Sequence, residues 1–117
     1  MHIALAVSDQ ERSRQFYETY FGFDPETARV ADDGVLLLEG PGDVLLALGV
    51  TDEPIRLPSF LHFGFRGAEA PDEVHAFRHR LAADGIEIVE FWEEPDYVSV
   101  KCRDPDGYVV EFAWEPA

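Results

Sequence analysis

A strand, a helix and three strands follow one another twice within these 117 residues. In the first half His2–Val7 alternates, with Ile3, Leu5 and Val7 on one face and His2, Ala4 and Ala6 on the other, as a half-buried strand does. Ser8 is expected to cap a helix, with Glu11 three residues later completing a capping box. Phe16, Tyr17 and Tyr20 form its apolar stripe, and Gly22 ends it. Ala28–Val30, Val35–Glu39 and Val44–Val50 then read as short antiparallel strands, the last two joined by Gly40-Pro41-Gly42-Asp43.

Thr51–Pro58 holds two prolines and two acids and reads as a linker. The pattern then restarts. Ser59–Arg66 is the expected strand, with Leu61, Phe63 and Phe65 opposite Phe60, His62 and Gly64. Pro71-Asp72-Glu73 opens a second helix that buries Val74, Phe77 and Leu81 and ends at Gly85. Ile86–Trp92, Tyr97–Arg103 and Tyr108–Trp114 are three more strands. The spacing from His2 to Pro41 is 39 positions and from His62 to Pro105 it is 43, so equivalent strands and hairpin turns recur at matched offsets. The expected fold is α+β: one domain, 1–117, of two tandem βαβββ modules, about 1–50 and 59–117, joined by 51–58 and curving into a partly open barrel.

Hydrophobic content of 46% supports a packed core. A net charge of −15 argues against nucleic acid and against anionic membrane surfaces as partners. Cys102 is the sole cysteine, so no intrachain disulfide forms. Met1 leads directly into a strand pattern and no apolar run approaches a membrane span. The expectation is a cytoplasmic protein acting on a small molecule, with a homodimer covering the exposed sheet faces.

If each helix covers the strongly apolar face of its sheet, the opposite faces carry the polar groups that need explaining. His2 and His62 hold equivalent places in the two modules. Glu111 lies mid-strand between Val109 and Ala113, where a carboxylate is costly to bury unless something positive meets it. A pseudo-twofold arrangement of the modules would bring the three together. Two imidazoles and a carboxylate bind a divalent metal while leaving positions for water and substrate. Tyr97, Ser99 and Lys101 are expected on the same face as Glu111. Lys101 either steadies a developing oxyanion or closes a cross-strand salt bridge. Phe60 and Trp92 are candidate walls for an apolar ligand, with core packing as the alternative. His75 and His79 are four apart on the second helix, but its buried stripe turns both to solvent.

His2-Ile3-Ala4-Leu5-Ala6-Val7, Phe16-Tyr17, Phe21-Gly22-Phe23 and Asp104-Pro105-Asp106-Gly107 ending in Glu111-Phe112 resemble the vicinal oxygen chelate superfamily. That group includes glyoxalase I, extradiol dioxygenases, and fosfomycin- and bleomycin-resistance proteins. The resemblance covers essentially the whole chain and implies a glyoxalase-like fold. It implies His2, His62 and Glu111 as ligands of one divalent ion (iron, manganese, zinc or nickel); their shared strand face makes Glu111 and Lys101 the candidate catalytic groups. On the same reading of faces, Phe60, Trp92, Tyr97, Ser99 and Lys101 are the candidate substrate contacts. The place of a fourth, glyoxalase I ligand falls near the apolar Leu46 or Ala47. The implied activity is lyase, isomerase or dioxygenase chemistry on an oxygen-chelating substrate. The alternative is metal-free sequestration of a cationic or aromatic drug, as bleomycin-resistance proteins perform.

Overall fold

The structure is a computed structural model in which residues 1–65 and 67–116 are described. The chain divides into two units, Met1–Leu57 and Pro58–Ala117, and the boundary falls inside the proline-bearing stretch 51–58. Each unit is one βαβββ module.

In the first unit the order is β1 (His2–Val7), α1 (Gln10–Phe21), β2 (Asp24–Val30), β3 (Leu36–Gly40) and β4 (Val44–Val50). The sheet order is β1-β4-β3-β2, with β1 and β4 parallel and the other pairs antiparallel. Leu5, Val7, Leu36, Leu38, Leu46 and Leu48 project to one face and are buried with Phe16, Tyr17 and Phe23. His2, Ala4 and Ala6 lie on the other face, exposed as the alternation requires. The cap of α1 differs from expectation. Asp9, not Ser8, is extended at the N-cap, and its Oδ1 accepts from the Arg12 amide at 3.1 Å. A carboxylate there also meets the positive end of the helix. Glu11 is therefore inside the first turn and lies 3.6 Å from Arg14 instead of closing a capping box. Gly22 ends the helix at φ 73°, a conformation glycine takes without steric cost.

The second unit comprises β5 (His62–Gly64), α2 (Pro71–Ala83), β6 (Ile88–Glu94), β7 (Tyr97–Arg103) and β8 (Val109–Trp114). Its order, β5-β8-β7-β6, repeats the first, again with a parallel first–last pair. Helix α2 starts with Pro71 and packs on the face bearing Val98, Val100, Cys102 and Val110. Phe77 meets Phe112 with ring centres 4.9 Å apart. Both sheets are open, each ending in an edge strand, and neither closes on itself.

Strand β5 is shorter than expected. Phe60 takes φ 69° and the Leu61 amide turns back to the Pro58 carbonyl, so extended chain begins only at His62. The other expected end, Arg66, lies outside the described residues. Strand β6 starts two residues late because the Ile86 amide is taken by the Leu81 carbonyl at the end of α2.

The Asp104-Pro105-Asp106-Gly107 turn has a clear physical basis. Asp104 is buried, and its Oδ1 accepts from the amides of Asp106 and Tyr108, both at 2.9 Å. Gly107 is at φ 93°. The turn thereby launches β8 in the register that places Glu111. Replacing Asp104 by Ala strands those amides, and we expect a loss of about 1–3 kcal/mol. Asp104→Asn retains an acceptor oxygen and should lose distinctly less. Urea unfolding of the two variants checks the order.

Candidate metal centre

The parallel pairing of β5 with β8 sets His62 opposite Val109 and Gly64 opposite Glu111. Side chains two apart along a strand share a face, so His62 and Glu111 are diagonal neighbours on the face turned away from α2. Gly64 makes this approach possible. A Cβ at that position would stand 2.6 Å from the Glu111 carbonyl oxygen, a backbone atom that cannot rotate aside. The sequence alternation placed Gly64 on the right face, yet nothing in it showed that the position tolerates only hydrogen.

Each donor is held by a partner of its own. The Nδ1 of His62 is 2.9 Å from the Phe60 carbonyl oxygen. A carbonyl only accepts, so Nδ1 carries a hydrogen, and in the neutral ring the lone pair is on Nε2. The Glu111 Oε2 accepts from the Tyr97 hydroxyl at 2.7 Å and the Ser99 hydroxyl at 2.6 Å. Both bonds fall on one oxygen and leave Oε1 for another partner. Burial alone would raise the Glu111 carboxyl, but the Ser99 and Tyr97 bonds, with the charge of Lys101, outweigh it. The group is held below the ordinary glutamate value and is ionised near neutrality. Burial, then the bond to Glu111, raises the Tyr97 phenol, so it stays a donor.

This donor set fits a divalent ion. A neutral imidazole and an ionised carboxylate are ordinary first ligands, each oriented by an outer hydrogen bond. His2 belongs to the first unit, exposed at the start of β1. Among the described residues no group of three or more His, Cys, Asp or Glu side chains is gathered to hold a metal. Of the three expected ligands, the second unit carries His62 and Glu111 on one sheet face.

The remaining expected site residues divide differently. Lys101 is directly opposite Glu111 in register, yet its ammonium lies 3.0 Å from Glu90 on β6. The salt-bridge alternative is the one observed, and Lys101 acts on Glu111 only through its charge. Tyr97 and Ser99 spend their hydroxyls on Glu111, and Ser99 is buried. Trp92 is opposite Ser99 and 50% exposed, and Phe60 is 88% exposed with its ring edge-on to His62, so neither is core. His75 is turned to Glu93, 2.7 Å away, and beside Phe91, while His79 is exposed.

The first module carries apolar residues at the places equivalent to Glu111 and Lys101. His2 is opposite Leu45 and Ala4 opposite Ala47, so Ala47 stands where Glu111 does. Leu37 stands where Lys101 does. An apolar pair replaces a charged one.

A duplicated βαβββ frame of two open four-stranded sheets is the architecture of glyoxalase-type proteins. The model of the Glyoxalase/Bleomycin resistance protein/Dioxygenase superfamily matches residues 1–112, and the chain belongs to that superfamily. A trivalent organoarsenical cleaving enzyme from Bacillus sp. (strain MD1) is 32% identical over 121 residues, spanning 95% of this chain and 70% of that protein. A possible glyoxalase from Bacillus cereus is similar in structure, with a TM-score of 0.75 and 25% identity over 95% of this chain and 94% of that one. A fosfomycin resistance protein from Listeria monocytogenes shares the fold, with a TM-score of 0.79 and 18% identity over 97% and 89% of the two chains. No helix among the described residues is long and apolar enough to cross a membrane.

Two outcomes are expected. The folded Glu111 value is depressed, so its contribution to stability is present above the unfolded value and is lost as pH falls through the folded one. Stability of the wild type should therefore fall below roughly pH 5. Ser99→Ala with Tyr97→Phe should raise the Glu111 value and flatten or reverse that decline. Carboxyl carbon shifts and urea unfolding against pH measure both. The Cys102 thiol, pushed up to about 12 by burial and then by Asp104, should resist alkylation in the folded protein near pH 8 and react fully on unfolding.

Proposed function

We propose that this chain is a divalent-metal enzyme acting on a small substrate that chelates through neighbouring oxygens. The observation that carries the reading is the His62–Glu111 pair, with Nδ1 and Oε2 already engaged and Nε2 and Oε1 left over. His2 is the third proposed ligand, supported by its equivalence to His62 at the head of the repeated strand. When bound, a divalent ion would supply Lewis-acid polarisation of a substrate oxygen. Glu111 would hold negative charge at the site without taking up a proton at neutral pH. Tyr97 and Ser99 would keep its carboxylate from rotating. Trp92, half exposed on the same face, would offer an apolar wall to the substrate body. The reaction class is a lyase, isomerase or dioxygenase step.

The relative's arsenical substrate does not transfer easily. Trivalent arsenic is a soft, thiol-seeking centre. The one thiol here, Cys102, is fully buried on the α2 side of the sheet and protonated. The residues left for substrate are oxygen and nitrogen donors, which favours a hard, oxygen-bearing ligand.

Metal analysis of the full chain after dialysis against a single metal salt tests the proposal. One ion per chain is expected. His62→Ala and Glu111→Gln should each weaken binding more than Tyr97→Phe, whose effect should be about 10- to 100-fold as for an outer partner. Unchanged affinity in both ligand variants would overturn the ligand assignment. Absence of any bound ion, together with tight binding of a cationic aromatic compound, would replace the enzyme with a sequestration protein.

A further inference from the structure

We propose that Phe60 is a positioning residue for His62, acting through its backbone carbonyl rather than through core packing. The inference rests on the metal-centre reading for its purpose. Its geometry stands alone.

Phe60 has φ 69°, in the left-handed region that side-chain-bearing residues rarely occupy. No packing of its own ring explains this, since the residue is 88% exposed. What the conformation does is aim a carbonyl. The Phe60 oxygen receives the His62 Nδ1–H at 2.9 Å. Rotation about the Phe60 N–Cα bond swings that oxygen, so the unusual φ and the hydrogen bond are one device. The preceding turn, with the Leu61 amide on the Pro58 carbonyl, restrains the same segment. The Phe60 ring stands edge-on to the imidazole, with centres 5.1 Å apart at 87°. An imidazole free in water favours hydrogen on Nε2. The Phe60 carbonyl reverses that preference and keeps Nε2 as the donor atom, as outer-shell carbonyls do for metal-binding histidines.

The test compares Phe60→Gly with Phe60→Val in the full chain. Glycine accepts a positive φ and keeps the carbonyl, whereas a β-branched residue resists that conformation. Nitrogen shifts of neutral, metal-free His62 report the tautomer. Wild type and Phe60→Gly should show Nδ1–H. Phe60→Val should shift toward Nε2–H, and its affinity for Zn2+ should fall about 10-fold while that of Phe60→Gly is retained. An Nε2–H tautomer in the wild type, or equal behaviour of the two variants, overturns the proposal. If Phe60→Val does not fold, the wild-type tautomer decides alone. Failure of Zn2+ to bind a wild type with Nδ1–H would remove the metal reading and leave the positioning role. Tight Zn2+ binding by a wild type with Nε2–H would do the reverse.

Discussion

The parallel contact between the first and last strand of each module is the interaction on which the rest depends. It joins residues far apart in the chain, His62 with Val109 and Gly64 with Glu111 in the second unit, His2 with Leu45 in the first. A parallel pair needs a long crossover, and the helix with two intervening strands supplies it. Because side chains alternate with period two, this register decides which residues meet on the uncovered face. A shift of one residue would turn Glu111 into the apolar layer beneath α2. The buried Asp104 turn and the bare Gly64 both act at this contact, one setting where β8 starts and the other how closely β5 approaches it.

The two modules use one frame for different ends. In the first, the uncovered face carries Ala4, Ala47 and Leu37 where the second carries Gly64, Glu111 and Lys101. The apolar layers are alike, since each must bury one helix on one sheet. The superfamily match spans residues 1–112 and so follows the shared frame of both modules.

The electrostatics of Glu111 follow the same economy. Partial burial works against its charge, and the Ser99 and Tyr97 hydroxyls with the nearby Lys101 charge overcome that cost. Lys101 contributes from a distance because Glu90 holds its ammonium. Hydrogen bonds to Oε2 do more than stabilise charge. They select which oxygen is left over, as the Phe60 carbonyl selects which nitrogen of His62 is left over.

Much of this was legible in the residues alone. Periodicity gave the repeat, both helices, and the faces of His62, Glu111, Tyr97, Ser99 and Lys101, because alternation is a local property of a strand. The sequence by itself also determined the Asp104–Gly107 turn, whose residues satisfy one another within a few positions. Partner choice was decided only by the tertiary structure. Whether Lys101 meets Glu111 or Glu90, and whether Tyr97 and Ser99 are free or bound to Glu111, depends on register across strands distant in sequence. The Asp9 cap, the late start of β5 and the left-handed Phe60 were likewise invisible to a pattern. They arise where backbone hydrogen bonds and side-chain reach compete over a residue or two, and hydrophobic spacing carries no information on which of them prevails.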